Sequence, residues 1–330
     1  MSTLFSLIST KINQIAPLEH EFTEVLDAIA LKPKTLYFRG KLPENVSKST
    51  KSEKISDNKL YEKARAKTRT NPSTGHPATV AIVGSRHNTK YGEEIAYHLA
   101  YELARHGVII VSGLAFGIDT IGHRGCLDAG GITVAVLGTP IDRIYPQSHT
   151  AVAKQIIEHG GAIISEYAPG STVFPKTSFL ERNRLISGLS DIVVVVEAAE
   201  QSGSLNTATH AIEQGKTVFA VPGNITNPYS QGCNKLIQHG AIPYTEPNDI
   251  LRELFPEDYT RRCQRLKQQR LFGDTDVETK ILQAIAEGTR SGEEIMQATH
   301  LPPEVFNQSI TILEIKGRLR SLGMNAWSLA

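Results

Sequence analysis

The chain has 330 residues, 40% hydrophobic and 21% charged, with a formal net charge of +1 at pH 7. That is enough apolar chain to bury the core of about one large domain and one small one. No apolar run approaches the roughly 18 residues of a membrane helix, and polar residues enter the N-terminus too early for a secretory h-region, so a cytoplasmic location is expected.

Residues 4 to 31 carry Leu4, Leu7, Ile8, Ile12, Ile15, Phe22, Val25, Leu26 and Ile29 at helical spacing, and "KTLYFRG" after them reads as a strand. The spacing predicts a short helical N-terminal segment over 1–43. Residues 44–77 are basic, with Lys48, Lys51, Lys54, Lys59, Lys63, Arg65, Lys67 and Arg69 set against Glu53, Asp57 and Glu62. This stretch holds too few large apolar residues for a core and is expected to be a disordered insertion.

From Ala78 the pattern changes to strands alternating with helices: "ATVAIVG", "GVIIVSG", "GITVAVLG", "GAIISE", "DIVVVVEA", "KTVFAVPG" and "AIPYT", with amphipathic stretches between them. Val- and Ile-rich runs separated by helices are what a parallel sheet covered on both faces requires. Residues 78–254 are therefore expected to form an α/β, doubly wound, mostly parallel, Rossmann-like domain. Arg261, Arg262, Arg265, Lys267 and Arg270 mark 255–274 as a basic linker. Residues 275–330 show three short helices and a terminal hairpin, the layout of a winged helix-turn-helix, or of a small bundle used for protein contacts.

The turn after the first of these strands, Gly84-Ser85-Arg86, stands where many α/β proteins hold a phosphate. It lacks G-x-G-x-x-G, the second strand ends in Val111-Ser112-Gly113 with no acid for a ribose, and no P-loop motif occurs, so no nucleotide cofactor is expected. Cys126, Cys233 and Cys263 form neither a disulfide framework nor a metal site. The strand-following turns nevertheless gather at the carboxyl edge of a doubly wound sheet. They bring Gly84, Ser85 and Arg86, Ser112, Gly113 and Gly117 of "SGLAFGID", and Ser202, Gly203 and Ser204 of "AAEQSGSLNT" to that edge.

Small residues and helix-start N–H groups suit an anion, and Arg86 supplies a forked donor. In "VFPKTSFLERNRLISGLS", Lys176, Arg182 and Arg184 lie close in sequence to Phe174 and Phe179, the combination of cation and aromatic ring used for single-stranded nucleic acid. Taken alone, Phe179 on a helix reads more often as a core residue than as a stacking platform. Arg182 and Arg184 fall on different helix faces.

The ordered series "VAIVGSR…YG", "SGLAFGIDTIGHRG", "AVLGTPIDRIYP", "SEYAPG", "FLERNRLISGLSDIVVVVEA", "SGSLNTATHAIEQGKTVFAVPGN" and "GCNKLIQHGA" resembles the DNA-processing protein family, DprA, also called Smf. The resemblance implies an extended Rossmann-like fold with a C-terminal winged-helix module. It also implies a single-stranded DNA-binding protein, a homodimer without catalysis, that protects incoming DNA and loads the RecA recombinase on it in natural transformation. By motif, Arg86, Lys176 and Phe179 resemble the family's DNA-contacting residues, with Arg182, Arg184 and Lys235 as weaker counterparts. Phe116 stands where the family commonly has a basic residue, and Glu181 sits beside R-N-R, which implies a lower affinity or a shifted DNA path.

An enzymatic alternative is a nucleotide phosphoribohydrolase resembling the plant "Lonely guy" proteins. Its P-G-G-x-G-T turn would correspond to "SGSLNT" here, with Glu213 the nearest downstream carboxylate. A regulator acting through the winged helix would rely on Arg318 and Arg320, which Glu293, Glu294, Glu304 and Glu314 oppose.

Overall fold

A computed structural model describes residues 10–44, 68–258, 260 and 273–329, apart from the side chains of Pro175 and Lys176. Most of the basic insertion, Arg261, Arg262, Arg265, Lys267 and Arg270 of the linker, Cys263, and Leu4, Leu7 and Ile8 lie outside the described residues. The chain forms two compact units that divide after Phe255.

The first unit is built on a sheet of nine strands: β1 (Asn13–Ile15), β2 (Leu36–Gly40), β3 (Thr79–Val83), β4 (Ile109–Ser112), β5 (Thr133–Leu137), β6 (Ala162–Ser165), β7 (Ile192–Val195), β8 (Thr217–Ala220) and β9 (Ile242–Pro243). Their order is β1-β2-β6-β5-β4-β3-β7-β8-β9, parallel from β6 to β9. Side chains of β3 alternate between two cores, because successive residues of a strand point to opposite faces. Val80 and Ile82 pack with Leu99, Leu103 and Val194 on one side. Ala81 and Val83 pack with Leu185, Ile186 and Ala208 on the other. The covering helices are α1 (Lys90–Arg105), α2 (Ile118–Asp128), α3 (Thr150–Glu158), α4 (Pro175–Gly188), α5 (Gly203–Glu213), α6 (Gln231–Gln238) and α7 (Pro247–Leu254). Both faces are thus buried, which is why the strands read as unbroken apolar runs.

The N-terminal segment departs from the helical expectation over residues 10–31. It holds two short 3-10 turns, Pro17–Glu19 and Glu24–Ala28, and the strand β1. Phe22 and Leu26 are buried in the core, with Leu26 closing over Gly188, but Ile15 pairs with Leu36 in an antiparallel ladder. β2 in turn runs antiparallel to β6. An open sheet edge supplied the hydrogen-bond partners that a short, Pro-interrupted helix could not, so tertiary pairing overrode the local periodicity.

Strands β3 to β6 step outward in one direction and β7 to β9 in the other, so the connections after β3 and β7 part company. A crevice opens outside the carboxyl ends of two such strands. Cys126 and Cys233 are buried, and burial pushes both thiols up to about 12, so neither is a ready nucleophile. Among the described residues no helix is long and apolar enough to cross a membrane.

The second unit contains α8 (Asp276–Ala286), α9 (Gly292–Thr299), α10 (Pro303–Ile315) and a hairpin of β10 (Leu319–Gly323) with β11 (Ala326–Leu329). Ile281, Leu282, Ile285, Ile295, Phe306, Ile310 and Leu313 form its core, and Trp327 of the hairpin meets Phe306 edge-on at 5.9 Å. Three helices closed by a β wing make this a winged helix.

Candidate nucleic-acid interface

A cavity of about 450 Å³ fills the crevice outside β3 and β7. Gly84, Ser85, Arg86, Phe179, Arg182, Ser202, Gly203 and Ser204 all line it, so eight of the sequence-predicted site residues meet in one place.

The turn that carries Arg86 is held from two sides. Ser85 N–H donates to the Glu197 carbonyl at 2.7 Å, and Ile118 N–H donates to the Ser85 carbonyl at 3.2 Å. Gly84 lies so close to Ile118 and Glu197 that a Cβ would stand 2.7 Å from the Ile118 side chain. Gly117 has φ +74°, and a Cβ there would run into the Ser85 carbonyl. Ser85 Oγ donates to the His87 carbonyl at 3.0 Å and accepts from His87 N–H at 3.1 Å. The serine hydroxyl thus stitches the turn, and Arg86 is the part of it that reaches out. Its guanidinium is exposed and takes no hydrogen bond or ion pair among the described residues; it lies 5.4 Å from the centre of the Phe179 ring.

Phe179 is half-buried on α4, and the ring leans on Gly138, where a Cβ would stand 2.5 Å from it. Lys176 belongs to the first turn of the same helix, and its side chain is outside the description. Arg182, one turn further on, is 4% exposed. Its Nη1 donates to the Gly113 carbonyl at 2.8 Å and to the Val136 carbonyl. Burial lowers its pKa to about 10, with the nearby Asp119 carboxylate opposing, so the guanidinium stays charged at neutral pH. Burial conversely raises Asp119, against the pull of Arg182 and of N–H groups that include Gly113 N–H at 3.1 Å. This pair forms the charged floor of the cavity.

Six predicted residues are placed otherwise or lack a described side chain. Ser112 Oγ is buried and donates to the Ile82 carbonyl at 2.6 Å. Gly113 and Gly117 pack behind the cavity against Arg182 and the Arg86 turn. Arg184 points elsewhere, with Nη2 on both oxygens of Glu166 at 2.8 and 2.6 Å. Lys235 pairs with Glu200 beside a separate groove of about 580 Å³. Lys176 completes the six.

The opposite wall is the start of α5. Ser202 caps it, accepting from Ser204 N–H at 3.4 Å, and Gly203 leaves open space where a side chain would sit. First-turn N–H groups of a helix have no intrahelical partner and carry positive charge, so this wall also favours an anion. Glu213 sits at the other end of this 11-residue helix, about 16 Å away by helical rise. It faces solvent beside His210 and not the cavity.

Sequence reasoning missed His87, Asn183, Gln201, Thr207 and Tyr229, which also line the cavity. For Asn183 a signal existed: Phe179, Asn183 and Ile186 recur at helical spacing and share one face. Asn183 Nδ2 donates to the Gly203 carbonyl and to Asn206 Oδ1, each at 3.2 Å, tying α4 to the start of α5. Gln201 and Tyr229 arrive on loops, which carry no periodicity to read. Of the two departures noted above, Glu181 accepts from the Tyr167 hydroxyl at 2.8 Å, and Phe116 is 47% exposed, edge-on to His149 at 4.9 Å.

The family described as DNA recombination-mediator protein A matches residues 68–255, and the DprA winged helix domain matches 266–323. Protein Smf of Escherichia coli strain K12 is 48% identical over 179 residues, 54% of this chain and 48% of that protein. DNA processing protein DprA of Bacillus subtilis is 45% identical over 175 residues, 53% of this chain and 58% of the other. The chain thus matches about half the length of these curated relatives. Among solved structures, DNA processing protein A of Streptococcus pneumoniae superposes with a TM-score of 0.59 at 34% identity over 76% of each chain. DNA processing protein A of Helicobacter pylori, described for its single-stranded DNA binding mode, gives 0.57 at 29% identity over 75% of this chain and 97% of the other.

Proposed function

Since the chain belongs to the DNA recombination-mediator protein A family, we propose that it binds single-stranded DNA without strong sequence preference in the crevice outside β3 and β7. It shields incoming DNA and loads the RecA recombinase on it during natural transformation, as a cytoplasmic homodimer, and it is not itself an enzyme. The observation that carries this reading is the exposed Arg86 guanidinium 5.4 Å from the Phe179 ring, at the mouth of the cavity and across from a helix start. A phosphate pairs with the guanidinium and a base stacks on the ring, the two terms from which sequence-tolerant binding is built.

In this reading Gly84, Ser85, Ser202, Gly203 and Ser204 offer backbone and hydroxyl groups to the DNA, and Lys176 adds a second cation. Arg182, Ser112, Gly113 and Gly117 act from behind, by fixing the walls. Arg184 and Lys235 reach DNA only by leaving Glu166 and Glu200.

Fluorescence anisotropy with labelled oligothymidine tests the site. Affinity should fall steeply as salt rises, and Arg86→Ala or Lys176→Ala should weaken binding to all sequences alike. Binding that ignores salt, or no binding, would defeat the reading. Removing residues 275–330 should leave oligonucleotide affinity largely intact. A shortened lag in the DNA-dependent ATPase of RecA, measured on protein-coated single strands, tests the loading step.

A further inference from the structure

We propose that the loop after β5 carries a second nucleotide subsite, in which Tyr145 stacks a base and Arg143 pairs with a phosphate, extending the DNA path beyond the cavity. This rests on the single-stranded DNA reading above and adds residues that neither the cavity nor that reading includes.

The loop, "TPIDRIYP" over residues 139–146, is anchored in the fold. Ile141 is fully buried and Ile144 packs against the same core beside β5 and α3. Thr139 Oγ1 donates to the Arg143 carbonyl at 2.5 Å, Arg143 N–H to the Pro140 carbonyl at 2.8 Å, and Ile141 N–H to the Tyr167 carbonyl at 3.2 Å. With Ile144 turned inward, Arg143 and Tyr145 on either side of it face solvent. The Arg143 guanidinium has no hydrogen bond or ion pair among the described residues. No ion pair joins it to the adjacent acid: Asp142 Oδ2 accepts from Gly170 N–H at 3.0 Å, and the carboxylate acts on Arg39.

The Tyr145 ring is 48% exposed and lies 5.4 Å from the Phe179 ring, tilted 40° to it. A base sandwiched between two rings needs about twice the 3.4 Å stacking rise, more than this gap allows. The two rings therefore form one stepped platform with a base on each outer face. Arg143 and Tyr145 put an exposed cation and an exposed ring two positions apart on one loop, beside the Arg86 guanidinium that lies 5.4 Å from the Phe179 ring centre. β5 lies two strands from β3 in the sheet, about 10 Å by interstrand spacing, within reach of the next nucleotides of an extended strand. Phe116, on the loop after the intervening strand β4, is also exposed, so apolar rings continue along this edge.

The test uses the full-length protein, oligothymidine carrying a single photoreactive 5-iodouracil at successive positions, and anisotropy of four variants. A crosslink to Tyr145 from a position adjacent to the one that crosslinks at Phe179 is expected. Tyr145→Ala should lose about fivefold to hundredfold in affinity and Tyr145→Phe should retain it, because the ring carries the contact. Arg143→Ala should reduce the dependence of log affinity on log salt by about one contact. Unchanged affinity in Tyr145→Ala and unchanged salt dependence in Arg143→Ala, with Arg86→Ala still impaired, overturns the second subsite alone. Should Tyr145→Ala fail to fold, the crosslink position and Arg143→Ala decide. A wild-type protein that binds no oligothymidine overturns the single-stranded DNA reading itself.

Discussion

Thr89 presents both its backbone N–H, at 2.8 Å, and its hydroxyl, at 2.6 Å, to the buried carboxylate of Glu197. The same glutamate's carbonyl receives Ser85 N–H, so one residue clamps both ends of the turn that projects Arg86. Its negative charge sits at the start of α1, where the helix dipole favours it, and Gly92 leaves room for the carboxylate. Glu197→Ala removes the acceptor for two donors and opens a hole, at a cost of about 2–4 kcal/mol. Urea denaturation should show that loss, and oligothymidine affinity should fall with it as the turn loosens. Glu197→Gln, which keeps one acceptor oxygen, should lie between the two.

Arg86 and Arg182 are both arginines at one cavity, and their substitutions should separate cleanly. Arg182→Met leaves Asp119 buried without its cation and should cost about 3–5 kcal/mol. Burial already holds the Asp119 carboxyl above its ordinary value and Arg182 pulls it back, so the variant's carboxyl rises further. An acid whose folded pKa is raised contributes stability at low pH that is lost as pH rises through it, so the deficit should be larger at pH 7 than at pH 4. Arg86→Ala removes an exposed guanidinium that makes no hydrogen bond among the described residues and lies over the Phe179 ring. Its pull on Asp119 is offset by its repulsion of Arg182, so the variant should keep the unfolding free energy within about 0.5 kcal/mol while losing DNA. Thermal unfolding at both pH values, paired with anisotropy, reads the contrast.

Gly117→Ala places a side chain at φ +74° and against the Ser85 carbonyl. The backbone strain alone costs about 1–3 kcal/mol, and the clash pushes the Arg86 turn out of position. The expected result is a lower unfolding midpoint together with weaker oligothymidine binding. Gly203→Ala, where a Cβ meets open space, is the matched control and should change stability little.

The parallel sheet was legible because strands buried on both faces leave long Val and Ile runs, and the crevice was legible because turns after strands must share an edge. What sequence could not supply was the direction of individual side chains. The two-residue spacing of Arg182 and Arg184 already put them on different helix faces, but it did not show that one lies under the cavity on a backbone carbonyl and the other on Glu166. Ser112 and Gly113 sit in a glycine-rich turn of the right kind but spend their polar groups inside the fold. The first strand was hidden because Ile12 and Ile15 fit a helix as well as an edge, and only the presence of β2 decides between them. Gln201 and Tyr229 reach the cavity through loop geometry alone.

His123 gives the fold a specific acid sensitivity. Thr133 Oγ1 donates to the Ile110 carbonyl at 2.7 Å, so its contact with His123 Nδ1, also 2.7 Å, is one in which the ring donates. The ring is then neutral with Nε2 buried and unpartnered, and protonation would place an unpaired cation in the core. Burial, reinforced by His149 and Arg182, lowers its pKa to about 3. The unfolded chain, with an ordinary imidazole near 6.5, binds the proton first, so stability should fall as pH drops from about 6.5 towards about 3. The slope from this one group reaches up to about 1.4 kcal/mol per pH unit. Asp119 and Asp191, both raised by burial, act with the opposite sign, taking up protons in the folded state and adding stability as pH falls. The difference between the wild type and His123→Gln cancels them, because glutamine can still donate to Thr133 but does not titrate. Urea midpoints from pH 7 to pH 4 should converge towards the variant's as acid is added, and parallel pH profiles for the two proteins would show that His123 is not the sensitive group.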